Sequence, residues 1–393
     1  MTEQLLRRVW YRPMRARDSG EDHRVATPLE LLFDLCFVVA VGQAAAQLHH
    51  ALAEGHVAHG VFSFALVFFG IWWGWLNFSW FASAFDTDDV PYRLVTLLQI
   101  AGGLTVAAGV ERAFDGDFRV MVAGYVLMRL AMVAQWLRAA RTDAECRPAA
   151  LRYAAGIAFC QLLWVGYLWL PHGLQPYAFF AFAILEMAVP VWGESRRGTA
   201  WHPHHIAERY GLFTLIVLGE VILSATNALK EATAEPGHLG TLISLAAAAL
   251  VLVFSMWWLY FDRPGHARLV RHPTMFTSMS WGYGHYFIFA SAAAVGAGLE
   301  VAVAYDTGTL PGIGGAAAAL ATTVPAAVFL LSVWLLHIGP TNECRPIAIG
   351  FPVTAVLVVA ASFTPAPIHV AAGLAAALVV LTVVATHGER HPA

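Results

Sequence analysis

Long apolar segments recur along the whole chain and are separated by short polar stretches. Each apolar segment runs for about 20 residues, which is the length that an α-helix needs to cross the hydrocarbon core of a bilayer. The segments lack the alternation of apolar and polar residues that a transmembrane β-barrel strand requires. The pattern therefore predicts an all-α, polytopic membrane helical bundle.

Breaker residues and charged runs divide this apolar sequence into twelve predicted spans, six in each half of the chain. Stretches rich in Gly and Pro, such as YDTGTLPGIGG and SFTPAPIH, indicate short exterior turns. The spans are predicted to begin near Pro28, Val61, Tyr92, Phe118, Leu151, Pro176, Ile206, Leu239, Thr274, Pro311, Ile347 and Pro367.

The arginine distribution predicts the orientation of these spans. Arginines are concentrated in the N-terminal tail and in alternate loops, whereas the remaining loops hold only Arg112, Arg119 and Lys230. Loops rich in Lys and Arg stay on the cytoplasmic side of a membrane. Both termini are therefore predicted to be cytoplasmic. The polar start of the chain has no apolar region typical of a cleavable signal peptide.

The two halves of the sequence resemble each other in three places. Because each half holds six spans, the resemblance predicts two parallel six-helix repeats. The corresponding positions are Trp72-Trp73 and Trp257-Trp258, Glu111 and Glu300, and Glu30 and Glu208. The predicted organisation is a cytoplasmic basic tail at 1–26, repeats at 27–197 and 198–387, and a cytoplasmic tail at 388–393.

Composition agrees with a membrane protein and indicates no particular chemistry. The chain is 59% hydrophobic and 12% charged, which is too little charge for a soluble domain of this length. Its four cysteines have no zinc-site spacing, and the trio His202, His204 and His205 has no second ligand cluster beside it. No catalytic residue and no metal site is assigned, the cofactor is unknown, and enzymatic activity is not favoured.

Five ionisable residues inside the predicted spans carry an energetic cost. A charge near the bilayer centre costs at least about 2.5–3.5 kcal/mol, so such residues usually face the interior of a bundle. We predict that these five line a central polar site for a proton, a cation or a substrate. They are Asp34, Arg129, Glu186, Glu220 and His285.

Arg129 is the one arginine that hydropathy places deep in the membrane, and three of these acids lie at compatible depths. A structural ion pair with Arg129 and a functional role both stay open for each acid. One arginine cannot neutralise three carboxylates, so at least one acid is expected to be protonated, near a bound cation or facing water. Glu220, about 18 Å along the seventh span, is the foremost candidate.

Five further acids lie near the predicted cytoplasmic face. Glu30 and Glu208 are located at helix starts, where the helix dipole and unpaired N–H groups favour a carboxylate. Asp86, Asp88 and Asp89 form an acidic loop of the kind that suits a hard cation, although capping of the next helix is the favoured interpretation. Capping is likewise the favoured role of Glu30 and Glu208.

Several motifs together resemble those of the bacterial low temperature requirement A family, over residues from about Val25 to Thr386. They are TPLELLFDLCFVVAV, WWGWLNFSWFASAFDTDDVPYR, YVLMR, ERYGLFTLIVLGEVIL and WWLYFD. The resemblance implies a multi-pass protein of the bacterial inner membrane, named for a requirement in growth at low temperature, and implies no chemistry. The family's acidic positions are kept at Glu30, Asp34, Asp86, Asp88, Asp89, Glu208 and Glu220.

The leading functional hypothesis is a proton- or cation-coupled secondary transporter of a small solute, since duplicated halves around a central site are typical of transporters. One alternative is an intramembrane enzyme or lipid-modifying protein in cold adaptation. A second alternative is a non-catalytic membrane scaffold or sensor. The expected partners are the lipid bilayer and an unknown small solute or ion. A homo-oligomer is compatible with the sequence, and no nucleic acid is expected.

Overall fold

The computed structural model describes residues 10–18, 21, 24–196, 198–233, 239–263, 265–271, 274–310, 312–339 and 344–390. These residues form helices and connecting turns without any strand, so the predicted all-α fold class is confirmed. The helices are α1 Pro28–Ala53, α2 Val57–Phe85, α3 Val90–Ala108, α4 Val110–Phe114, α5 Arg119–Thr142, α6 Arg147–Tyr167, α7 Gln175–Glu194, α8 Pro203–Thr233, α9 Leu239–Phe261, α10 His266–Arg271, α11 Met275–Asp306, α12 Gly315–Val333, α13 Arg345–Ala360 and α14 Pro367–Arg390. A π-helical turn, Trp334–Ile338, extends α12.

Eleven helices in the described part of the chain are long and apolar enough to span a bilayer, which confirms a multi-pass helical protein. They match eleven of the twelve predicted spans, with starts that differ by at most four residues, as at Leu151 against Arg147. The seventh predicted span corresponds to α8, which is not among the eleven. The count of twelve, the parallel repeat and the cytoplasmic termini stay predictions. Residues 1–9 and 391–393 lie outside the described residues.

The chain packs as two compact units. Unit 1 consists of Met1–Gln43 and Leu66–Leu212, and unit 2 consists of Ala44–Ala65 and Phe213–Ala393. The helices α1, α2 and α8 therefore each contribute residues to both units. The division inside α8 falls between Leu212 and Phe213, whereas the predicted repeat boundary at 197/198 precedes this helix and stays a prediction.

The two Trp pairs that suggested the repeat have different environments in their units. Trp72 and Trp73 of unit 1 are completely buried among helices, whereas Trp257 and Trp258 of unit 2 are 43% and 45% exposed. Exposed Trp side chains on a membrane protein are suited to the lipid–water interface. Corresponding sequence positions thus do not have the same packing role.

Glycine allows α3 and α5 of unit 1 to approach each other backbone to backbone. A Cβ atom built on Gly124 would lie 2.6 Å from the carbonyl oxygen of Gly102, and one built on Gly102 would lie 2.8 Å from the carbonyl oxygen of Gly124. Small residues at such crossings are the usual means of close helix packing in membranes. This contact fixes the position of α3, whose polar face contributes to the site described below.

Gly124→Ala is expected to lower the free energy of unfolding by about 1–3 kcal/mol, because the added methyl group overpacks this crossing. The matched control is Gly166→Ala in α6, where a Cβ would meet no atom within 4 Å. That control is expected to be neutral or slightly stabilising, since Ala favours a helix over Gly. Thermal unfolding in detergent measures both, and a Gly124→Ala protein as stable as the control would contradict the close crossing.

Candidate functional site

A buried charge cluster lies in unit 1, where α1 and the first turns of α8 meet. Arg209 Nη2 donates to Asp34 Oδ1 at 2.5 Å, and Arg209 Nη1 lies 3.1 Å from Glu30 Oε1. All three side chains are completely buried. Since an uncompensated charge is costly at such a position, each acid offsets the desolvation of the arginine.

Side chains from α2 complete this part of the cluster. Trp75 Nε1 donates to Asp34 Oδ1 at 2.7 Å, and the Ser79 hydroxyl accepts a hydrogen bond from Arg209 at 3.2 Å. The Trp75 ring also packs edge-on against Tyr210, with ring centroids 4.9 Å apart. Both Asp34 contacts go to Oδ1, so the second oxygen of this carboxylate, Oδ2, has no hydrogen-bond partner in the described structure.

Glu30 also caps the start of α1. The Thr27 N–H donates to Glu30 Oε2 at 2.7 Å, and the Glu30 N–H donates to the Thr27 hydroxyl at 3.3 Å. These reciprocal hydrogen bonds form a capping box. His205 Nε2 lies 3.3 Å from the same carboxylate. Glu30 therefore has a capping contact and a place in the charge cluster at once.

Arg24 extends the cluster toward the loop that follows α2. Its Nη2 atom lies 3.8 Å from Glu30 and 3.9 Å from Asp86, and it donates to the carbonyl oxygen of Ala82 at 2.7 Å. Burial raises the pKa of Asp86 to about 6, and the negative charge of Glu30 adds to this rise while Arg24 opposes it. Two arginines thus face three carboxylates, and a proton or a cation would balance the remaining charge.

A polar face of α3 belongs to the same unit. Tyr92, Thr96 and Gln99 follow one another at helical spacing and are buried. The Tyr92 and Thr96 hydroxyls and both amide atoms of Gln99 make no hydrogen bond within the described part of the chain. Buried polar groups are nearly always hydrogen-bonded. A face with several such groups is therefore suited to a polar ligand.

The packing of α3 against α1 indicates which turn of α1 lies beside the polar face of α3. A Cβ atom on Gly103 would lie 3.0 Å from the Phe37 ring, and Arg24 joins Glu30, near the start of α1, to Asp86, just before the start of α3. The helices α1 and α3 therefore run in the same direction. Gln99, one turn before Gly103, is level with the turn of α1 that precedes Phe37. That turn carries Asp34.

Arg129 and Glu186 form a second buried network in unit 1. Arg129 Nη2 donates to Glu186 Oε2 at 2.8 Å. The same carboxylate accepts hydrogen bonds from Trp73 Nε1 at 2.9 Å, the Tyr125 hydroxyl at 3.1 Å, Gln161 Nε2 at 3.1 Å and Trp164 Nε1 at 3.2 Å. Five donors saturate its two oxygens. The network joins α2, α5, α6 and α7 and has the character of a structural pair.

The five residues predicted to form one central site are therefore distributed. Asp34 belongs to the charge cluster with Arg209, and Arg129 pairs with Glu186 and not with Asp34 or Glu220. Glu220 and His285 belong to unit 2. Glu220 is half-buried and makes no ion pair with another described residue, whereas His285 is completely buried beside other polar side chains of its unit.

The acidic loop after α2 directs its three carboxylates to different partners. Asp89 caps α3 by accepting from the Tyr92 N–H at 3.0 Å, and it also pairs with Arg138. Asp88 is exposed, has a φ of 47°, and pairs with Arg93 at 2.8 Å. Within the described residues no group of three or more His, Cys, Asp or Glu side chains is arranged to hold a metal ion. The loop thus does not converge on one cation.

Asp89 and Glu208, two of the five acids predicted near the cytoplasmic face, hold neighbouring segments together through hydrogen bonds. Burial disfavours the charged form of Asp89, but hydrogen bonds from the Arg138 side chain and the Arg12 backbone outweigh that effect and hold its pKa below the usual value. Glu208 is half-buried and accepts from the Ala26 N–H at 3.4 Å. Glu208 therefore ties the segment before α1 to α8.

Sequence reasoning missed Arg209 and the polar face of α3. The positive-inside rule assigned Arg209 to a cytoplasmic loop, although it follows Glu208 in the motif ERYGLF and lies within α8. Gln99 and Thr96 are uncharged, so hydropathy gives them little weight. Their helical spacing from Tyr92 was the available signal.

Comparison with known proteins identifies a family and assigns no chemical activity. The sequence model described as bacterial low temperature requirement A protein (LtrA) matches residues 25–385. A relative from Rhizobium meliloti (strain 1021) is 29% identical over 310 residues, which cover 75% of this chain and 74% of the relative, and its printed name describes it as uncharacterized. No solved structure matches.

The raised pKa of Asp86 gives a pH dependence with a defined sign. The folded state holds this proton more tightly than the unfolded state, whose Asp pKa is about 3.9. The stability from Asp86 is therefore present below about pH 4 and is lost as the pH rises through about 6. We expect wild type to lose about 2–3 kcal/mol relative to Asp86→Asn between pH 4 and pH 7.

Unfolding measured at several pH values tests this expectation for Asp86. Asp88→Asn is measured alongside as the control, because it changes an exposed acid of the same loop. A difference between wild type and Asp86→Asn that does not grow above pH 4 would contradict the buried position of Asp86.

Arg129→Met is expected to destabilise the protein by about 3–5 kcal/mol, because it leaves the Glu186 carboxylate buried without its cation. Adding Glu186→Gln should recover part of this loss, since the second change removes the uncompensated charge. Arg93→Met breaks an exposed pair and is expected to cost at most about 1 kcal/mol. Equal losses for Arg129→Met and Arg93→Met would refute the structural pair.

Proposed function

The chain belongs to the bacterial low temperature requirement A family, and on that premise we propose a proton- or cation-coupled transporter of a small polar solute. In this proposal the solute binds in unit 1, between the charge cluster of α1 and α8 and the polar face of α3. In the same proposal the protein lies in the bacterial inner membrane with both termini in the cytoplasm, α8 is the seventh of twelve spans, and the two halves are parallel repeats. The bilayer contact follows from its spanning helices.

The observation that carries the proposal is the set of unpartnered polar atoms at one level of unit 1. Asp34 Oδ2 is a hydrogen-bond acceptor, and the Gln99 amide offers both a donor and an acceptor. The Thr96 hydroxyl, also buried, adds a group that can act as either. A small solute with hydrogen-bond donors for Asp34 and Gln99, and an acceptor for the amide nitrogen, matches this arrangement.

The charge balance supports coupling to a proton or a cation. Arg24 lies between Glu30 and Asp86, and Glu30 in turn contacts Arg209. Protonation of Asp86, whose pKa is raised to about 6, removes one of the two acids that attract Arg24. Arg24 then interacts more strongly with Glu30, which weakens the hold of Glu30 on Arg209 and alters the charge presented to Asp34.

The saturated Glu186 network favours a scaffold role for its own part of unit 1. Five donors leave this carboxylate no capacity for a ligand. In this proposal the Arg129–Glu186 pair holds α2, α5, α6 and α7 in place around the solute site. A scaffold or sensor function of the whole protein is the second candidate, and it predicts that the charge cluster is equally inert.

Gln99→Leu separates the two candidates sharply. Because the Gln99 amide has no hydrogen-bond partner in the described structure, its replacement by an apolar side chain of similar size is expected to leave stability unchanged or raised. The transporter proposal expects loss of activity all the same. Growth at low temperature of a strain lacking the gene, complemented by each variant at equal membrane abundance, measures activity.

Asp34→Asn completes the test and Asp88→Asn provides its control. The first is expected to reduce growth to that of the uncomplemented strain, because the site loses a carboxylate, whereas the second alters only an exposed pair. Full complementation by both Gln99→Leu and Asp34→Asn would refute the solute site. Loss of growth that follows loss of folded protein, in both variants, would favour the scaffold.

A further inference from the structure

Three side chains of unit 2 bring their polar atoms together. His285 lies on α11, His337 on the π-helical turn after α12, and Tyr260 near the end of α9. The Nε2 atoms of the two histidines are 3.4 Å apart, and the Tyr260 hydroxyl is 3.3 Å from His285 Nε2. His285 and Tyr260 are buried, and His337 is half-buried.

Backbone contacts fix the tautomer of both histidines. His285 Nδ1 lies 2.7 Å from the carbonyl oxygen of Trp281, and His337 Nδ1 lies 3.3 Å from the carbonyl oxygen of Tyr260. A carbonyl oxygen only accepts, so each Nδ1 carries a hydrogen and donates it. In a neutral imidazole the other nitrogen then bears a lone pair. Two acceptor atoms therefore face each other at Nε2.

This arrangement matches the ligand geometry of a transition-metal site. Imidazole nitrogens bind Zn²⁺ at about 2.0–2.1 Å, so two of them on a tetrahedral ion are about 3.4 Å apart. Metal-binding histidines almost always donate their other N–H to a carbonyl or a carboxylate, as both do here. A π-helical turn such as the one carrying His337 is frequent at functional sites.

We propose that unit 2 binds a borderline-soft divalent metal ion such as Zn²⁺ through His285 Nε2, His337 Nε2 and the Tyr260 oxygen. The Tyr260 hydroxyl is oriented by a hydrogen bond with the Thr214 side chain of α8. Because the third ligand is a tyrosine, the site differs from a cluster of His, Cys, Asp and Glu side chains, of which the described residues contain none.

Two of the three proposed ligands lie near the ends of their helices. Tyr260 is the penultimate residue of α9, and His337 is the penultimate residue of the π-helical turn. Both lie at helix ends, and His285 follows the start of α11 by about 15 Å of helix rise. The proposed metal site lies in unit 2 and is independent of the solute site proposed for unit 1.

Cobalt titration of the purified full-length chain, prepared without a histidine tag, tests this proposal. Tetrahedral Co²⁺ gives intense visible absorption bands, and Zn²⁺ should displace it from one site per chain. His337→Ala is expected to weaken binding at least about 10-fold, since even the loss of an orienting partner costs about 10–100-fold in affinity. Tyr260→Phe is expected to shift the bands and to weaken binding less.

His369→Ala is the matched control, because His369 also belongs to unit 2 and its Nε2 atom lies 2.7 Å from the Ser244 hydroxyl, outside the proposed ligand set. It should leave the bands and the affinity unchanged. His337 is half-buried, and unfolding curves without metal show whether its variant folds; His337→Gln serves if His337→Ala does not. Metal binding that is equal in wild type and the folded His337 variant would overturn the proposal.

A second result would also overturn it. If nitrogen NMR shows that the two imidazoles share one proton and that added Zn²⁺ or Co²⁺ changes neither ring, the pair is a proton site and not a metal site. Asp34→Asn leaves His285, His337 and Tyr260 untouched, so failure of the solute site and failure of the metal site are distinguishable.

Discussion

Compensation of buried positive charge is the constraint on which unit 1 depends. Arg209 and Arg129 are both almost completely buried, and a buried guanidinium is tolerated only with carboxylates close by. Asp34 and Glu30 serve Arg209, and Glu186 serves Arg129. Because each carboxylate lies on a different helix from its arginine, these ion pairs also determine which helices meet. The ion pairs and the apolar packing thus both contribute to the arrangement of helices in unit 1.

Glu186 and Asp34 differ in how many of their oxygen atoms accept hydrogen bonds. This difference distinguishes a structural ion pair from a candidate ligand site. Glu186 accepts from five donors on three other helices, whereas Asp34 directs both of its contacts to one oxygen. In the same unit, α3 adds buried polar groups that lack hydrogen-bond partners in the described structure. A carboxylate whose two oxygens both accept hydrogen bonds has no capacity for a ligand. A carboxylate with one unbonded oxygen, in a unit with other unbonded polar groups, is suited to bind one.

Hydropathy predicted the fold class and twelve spans, of which eleven are confirmed in the described part of the chain, because span length and apolar content are local properties of the sequence. It also identified Arg129 and offered Glu186 among its partners. It failed at Arg209, since a charged residue near a span start is counted as a loop residue although the helix continues through it. Glu220 received the most weight from the sequence, yet of the three acids inside predicted spans it is Asp34 and Glu186 that form ion pairs with other described residues.

Hydropathy cannot identify buried neutral polar residues or the pairing of His285 with His337, for physical reasons. Gln99 costs little on a hydropathy scale, so only its three-dimensional burial reveals that both amide atoms lack partners. His337 is separated from His285 by 52 residues, and their contact follows from helix packing that one sequence does not encode locally. Sequence reasoning thus found Asp34, Arg129 and Glu186 among the buried charges, and it missed Arg209, Gln99 and His337.

The most direct test is a thermal-unfolding screen of purified wild type and Asp34→Asn against small polar solutes at several pH values. The proposed solute site predicts a solute that raises the unfolding temperature of wild type and has little effect on Asp34→Asn. A solute that stabilises both proteins equally would place binding elsewhere. An Asp34→Asn protein that unfolds at a much lower temperature, with no solute stabilising wild type, would make Asp34 a structural partner of Arg209 alone.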